Sequence, residues 1–337
     1  MADDEVAARA PESDAQEDAS ASASASNVSG IDGDTKPEQG AATMGEHCTT
    51  DRPTPAGETP TGQEITKYND VDVYVTKPAD YPHAPSRLLL LLTGGTGIHS
   101  TNNQLQADKY ASEGYLVVMP DQFAGDPAPT TTTSTAPVEQ NPSLIEQIKL
   151  GVVGVAKSFT IDMWLARHTP QKVLPILHKV IAAVNEEFAD AVANGGGIYA
   201  VGYCFGAKYV LLLGSSLHAD VAAGQRAPEA EAEEGMVKHG PAIKVGAIAH
   251  GTQITREDLA GVEVPVSVVA VEDDPLFPDD VRVAGVQEAV KKGREVDVTV
   301  YSGVPHGFAV LGDYADQTIV EKQKEAFGQM LAWLKSH

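Results

Sequence analysis

The chain has 337 residues, 42% hydrophobic and 21% charged, with a formal net charge of −23: enough apolar material for one large domain plus a tail. Such acidity argues against nucleic acid or an anionic membrane surface as a partner, since both need a basic face. Two cysteines, Cys48 and Cys204, cannot make a disulfide framework, and no apolar run reaches membrane-spanning length.

The N-terminus, Met-Ala-Asp-Asp-Glu, lacks the basic and apolar regions of a secretory signal. With the cysteine usage, this points to a cytoplasmic protein. Residues 1–60 carry 13 Asp and Glu against 3 Lys and Arg, and Ser20–Ser26 alternates Ser and Ala. Such a segment cannot bury enough surface to offset its ordering entropy, so 1–60 is expected to be a disordered acidic tail and 61–337 the folded domain.

Val71, Val73 and Val75 alternate with other residues and predict a half-buried strand. Arg87–Leu92 reads as a fully buried strand ending in Thr93-Gly94-Gly95-Thr96-Gly97. A helix follows over Gln104–Glu113, then a buried strand over Tyr115–Met119. Residues 125–142 read as a Pro/Thr-rich loop and Leu144–Ala156 as a helix. Pro170–Ala193 reads as one long helix, with Leu174, Leu177, Ile181 and Val184 at helical spacing. Tyr199–Tyr203 is a short buried strand and Ala207–Leu217 a helix; residues 221–240 are expected to be a surface insertion. Strands follow over Lys244–Ala249, Val266–Val271 and Val296–Tyr301, with helices over Asp280–Lys291 and Thr318–Lys335. Strands alternating with helices define an α/β fold: a mostly parallel central sheet with helices on both faces and ligands beyond the carboxyl ends of its strands.

Gly202-Tyr203-Cys204-Phe205-Gly206 stands between a strand and a helix. It has the glycine–x–nucleophile–x–glycine pattern, with Cys in the nucleophile position. The turn must be tight and uncrowded, which is why Gly flanks it on both sides. The sulfur then sits at a helix N-terminus, where the dipole favours a thiolate. The Phe205 N–H points at the same spot. An acid and a His are then needed in that chain order. Val266–Val271 leads into Asp273-Asp274, with Asp274 the first choice and Asp273 the second. The next strand leads into Pro305-His306-Gly307. The turn at Gly94–Gly97 is expected to supply a second oxyanion donor, from the N–H groups of Gly95 or Thr96. His99 reads as structural or solvent-facing and His250 as structural, and His168 and His178 show no acidic partner. No cluster has metal-ligand spacing, so no metal or organic cofactor is expected.

Gly202–Gly206, Asp274-Pro275-Leu276-Phe277-Pro278, Pro305-His306-Gly307-Phe308 and Pro120-Asp121-Gln122-Phe123 together resemble the dienelactone hydrolase (carboxymethylenebutenolidase) family, over roughly residues 62–337. The resemblance implies the α/β-hydrolase fold and a Cys204–Asp274–His306 triad that opens a lactone. Two departures stand out. Bacterial members place a Glu after the first buried strand, against the nucleophile; Thr93–Gly97 holds no acid. They also use an Arg soon after the catalytic His to hold a substrate carboxylate; Val310 stands near that place. The expected partner is a small-molecule ester or lactone substrate, and the chain is expected to be a monomer or dimer. A non-catalytic ligand-binding or regulatory protein on the same scaffold is the alternative.

Overall fold

Five consecutive leucines, Leu88–Leu92, suit a strand covered on both faces. In a computed structural model of the chain they form an interior strand of an eight-stranded sheet. Residues 50–62, 65–129, 160–222 and 240–337 are described. The helix expected over Leu144–Ala156 lies outside them, as do most of the 125–142 loop and of the 221–240 insertion.

The strands are β1 (Thr66–Tyr68), β2 (Val71–Thr76), β3 (Arg87–Leu92), β4 (Tyr115–Pro120), β5 (Tyr199–Tyr203), β6 (Val245–Ala249), β7 (Val266–Val271) and β8 (Val296–Tyr301). Their spatial order is β1-β2-β4-β3-β5-β6-β7-β8. β1 and β2 pair antiparallel, as do β2 and β4; all other pairs are parallel. Side chains alternate across the sheet. Leu88, Leu90 and Leu92 enter one core with Val173, Leu177 and Phe205. Leu89 and Leu91 enter the other with Tyr110, Met330 and Leu334. Burying each leucine stabilises the fold by about 1.5–3 kcal/mol.

Labelled helices are α1 (Thr101–Ser112), α2 (Pro170–Glu187), α3 (Ala189–Gly195), α4 (Phe205–Leu213), α5 (His218–Ala222), α6 (Arg256–Ala260), α7 (Asp279–Lys291) and α8 (Gln317–Ser336). Residues 160–167 are helical as well. Several expected boundaries are corrected. α1 starts three residues early because Ser100 caps it, its side chain accepting from the Asn103 N–H. The long helix over Pro170–Ala193 is two helices, broken at Phe188, whose φ of −122° leaves the helical range. α4 begins at Phe205, directly after Cys204, and ends at Leu213. β2 is buried on both faces rather than one.

Candidate active site

The Cys204 backbone has φ 50° and ψ −113°, a conformation that a side chain with a Cβ rarely adopts. Its surroundings hold it there. The Cys204 N–H donates to Ala249 O (3.1 Å), and Cys204 O accepts from the N–H groups of Thr252 (3.1 Å) and Ala207 (3.2 Å). The flanking glycines have no room for a side chain. A Cβ on Gly202 would stand 2.6 Å from Gly206 O, and one on Gly206 would stand 2.3 Å from Leu92 O. Cys204 is buried, at the N-terminus of α4.

Asp274 follows β7. It is buried, and its Oδ1 accepts from the Leu276 N–H at 3.0 Å. Its Oδ2 lies 2.7 Å from His306 Nδ1. Asp273, the second choice, has φ 53° and is exposed; Asp274 is the acid that meets the imidazole. His306 rides on a loop after β8 that bends at Gly303 and Gly307, both at positive φ. α8 fastens this loop: Gln323 Nε2 donates to Phe308 O (2.9 Å) and Val310 O (2.8 Å). Burial pushes the imidazolium of His306 down. The charge that Cys204 carries as a thiolate, together with hydrogen bonds to Asp274 and Cys204 and the Asp274 charge, outweighs it and raises the ring to about 9.

The turn after β3 closes with Gly97 N–H on Gly94 O at 3.3 Å. Gly95 and Thr96 are therefore its central residues, and their N–H groups are not used by the turn's own bond. Gly94 packs against Cys204: a Cβ there would lie 3.2 Å from Cys204 Cβ. Gly94 and Thr96 line the cavity. Gln122, buried, donates to Thr93 O (2.9 Å), and Gly206 N–H donates to the same oxygen (3.0 Å). The two segments on either side of the sulfur are thus tied together.

Sequence reasoning missed part of the site. His250 was expected to be structural; it is fully buried, has φ 36°, lines the same cavity and packs edge-on to His306 at 5.0 Å between ring centroids. His99 is exposed. His168 does have an acidic neighbour, Asp126 Oδ2 at 3.7 Å, and His178 Nε2 lies 2.8 Å from His218 Nδ1; both pairs stand outside the cavity. The larger correction concerns residues 50–60. Thr50, Asp51 and Arg52 line the cavity beside Cys204, together with Val310, Leu311 and Tyr314. An acid therefore does reach the Thr93–Gly97 turn, from a distant part of the chain. Burial raises the Asp51 carboxyl against hydrogen bonds from Ser100 and Thr96, which lower it. The signal available in the sequence, a lone Arg-Pro in an acidic tail, was too weak to read.

The sheet order and the turn at Cys204 define a protein of the α/β-hydrolase fold class. A model of the dienelactone hydrolase family matches residues 71–337, and the chain belongs to that family. It is 29% identical over 274 residues to the hydrolase pyvD of Aspergillus violaceofuscus, covering 81% of this chain and 90% of that one. It is 26% identical over 275 residues to the hydrolase tropI of Talaromyces stipitatus, covering 81% and 89%. Among solved structures it is similar to the thermophilic esterase Est2 of Thermogutta terrifontis, with a TM-score of 0.51, 14% identity, and coverage of 83% and 94%. That likeness concerns the fold. No helix among the described residues is long and apolar enough to cross a membrane.

Proposed function

We propose that the protein hydrolyses a carboxylic ester or lactone with Cys204 as nucleophile, His306 as general acid and base, and Asp274 as the group that orients the imidazole. The observation that carries this reading is the strained turn at Cys204, with His306 beside it and a buried carboxylate 2.7 Å from His306 Nδ1. A helix N-terminus and an imidazolium both favour the thiolate.

The thiolate attacks the carbonyl carbon, and the carbonyl π electrons move onto oxygen. The Phe205 N–H is the first of α4 and has no carbonyl to bond inside the helix. It holds the oxyanion together with an N–H from the Gly95–Thr96 turn, each worth on the order of 3 kcal/mol. The intermediate collapses with cleavage of the ester C–O bond. The leaving alkoxide takes a proton from His306 Nε2, which leaves a thioester. Neutral His306 then takes a proton from water, whose oxygen attacks the thioester carbonyl, and the acid leaves as Cys204 recovers its thiolate and His306 its proton. Asp274 keeps Nδ1 protonated throughout, so that Nε2 faces the reaction. In a lactone the leaving oxygen stays attached to the acid produced.

The test is turnover of p-nitrophenyl acetate and a lactone panel that includes a dienelactone. We expect wild-type activity, and a loss on the order of 10³-fold or more in Cys204→Ala. Equal rates in the two proteins would sink the reading.

A further inference from the structure

The cavity above Cys204 holds only about 30 Å³, room for roughly two waters. Three of its lining residues, Thr50, Asp51 and Arg52, lie in a segment that precedes the family match at 71–337. Five contacts fasten this segment. Asn102 Nδ2 donates to Arg52 O at 2.7 Å. The Asp313 N–H donates to Pro53 O at 2.8 Å. Thr96 and Ser100 hydrogen-bond the Asp51 carboxylate. The Arg52 guanidinium lies over the Tyr314 ring, 5.0 Å from its centroid. The body is also cut to receive the segment. A Cβ on Gly312 would stand 2.7 Å from Arg52 Cβ. Gly312 has no positive φ to require a glycine, so Arg52 is the neighbour that limits side-chain size there.

We propose that residues 50–53 are a strap that roofs the thiol and limits the size of the group admitted to Cys204, which makes Arg52 a specificity-determining residue. An acyl chain grows from the sulfur into the space that Arg52 and Tyr314 close. Each added methylene must lift the roof or be refused. A single methylene is worth about 10–200-fold in rate where a pocket is built around size. For its substrate the proposal rests on the ester-hydrolase reading above; for access to the thiol it does not.

The test uses the full chain as wild type, Gly312→Ala, Arg52→Gly and Arg52→Lys. Gly312→Ala displaces the strap without altering a cavity-lining residue. N-methylmaleimide and N-phenylmaleimide share a reacting group and differ in bulk. Their rates at Cys204 are read by peptide mass spectrometry and corrected for their rates with a free thiol. We expect wild type to favour the small reagent by about tenfold or more. Gly312→Ala and Arg52→Gly should lose at least about fivefold of that preference while still melting cooperatively. Arg52→Lys, whose aliphatic stem still covers the cavity, should keep most of it. The ratio of kcat/KM for p-nitrophenyl acetate over the hexanoate should fall in the same two variants. A wild-type preference near one, or a preference unchanged in both Gly312→Ala and Arg52→Gly, overturns the strap. No turnover of either ester by wild type, with the maleimide pattern as expected, overturns the hydrolase reading and supports the strap as the gate to the thiol.

Discussion

The residue on which the account turns, Cys204, occupies a backbone conformation that costs on the order of 1–3 kcal/mol unless its surroundings enforce it. Here two carbonyl and amide partners on the β6 side and two side-chain-free neighbours enforce it. Gly206→Ala places a methyl against Leu92 O, and we expect a loss of about 2 kcal/mol or more, read as a fall in melting temperature. Asp274→Asn keeps the shape of the acid but admits the wrong imidazole tautomer. On the proposed mechanism kcat falls on the order of 10³–10⁴-fold with the fold retained. A mild effect on kcat would place the acid elsewhere. His306 also gives a pH dependence. Its pKa is raised from 6.5 to about 9 in the folded chain. The stability this contributes is fully present below about pH 6.5 and is lost as pH rises through about 9. Melting temperature should therefore decline from pH 7 to 10 more steeply in wild type than in His306→Gln. Parallel declines would show that the ring is not protonated in the folded state.

At the scale of elements, the site is assembled from strand ends and the loops that follow them, and these pieces differ in how well they are fastened. The loop carrying His306 depends on Gln323 of α8, which satisfies two carbonyls at once. Gln323→Leu leaves both without this donor. We expect a loss of about 1–3 kcal/mol and, since the loop aims the imidazole, a larger change in kcat than in KM. An unchanged melting curve would show that the loop stands without it. The central strands were legible because their leucine and valine runs have no other stable place. Asp274 follows the buried strand β7, whereas His306 follows β8, an edge strand with alternating burial, and was marked by the Gly/Pro-rich loop beyond it. β1 was missed: three residues carry no periodicity, although Asn69 and Asp70, both at positive φ, form the turn that folds it onto β2. α6 was missed for its shortness, although Thr255 and Asp258 make a capping box that could have marked it. The strap at 50–53 was not legible at all. Its contacts reach Thr96, Ser100 and Asn102 on one side and Asp313 and Tyr314 on the other, the latter more than two hundred positions away, and no local pattern encodes them.

At the scale of the whole molecule, the sheet order places Cys204 beside the interior strand β3, with the acid and histidine loops reaching it from β7 and β8. The chain carries this site under a formal charge of −23. Self-repulsion at that charge destabilises the compact state, and salt screens it. Melting temperature should rise between 20 and 300 mM NaCl at neutral pH, and a fall would mean that attractive pairs dominate. The most direct measurement of the central claim is a rapid acid quench during turnover of an activated ester, followed by peptide mass spectrometry. An acyl group is expected on the Cys204 peptide, formed in the burst and absent from Cys204→Ala. Turnover that proceeds undiminished with Cys204 fully alkylated, and with no acyl adduct at that position, would contradict it.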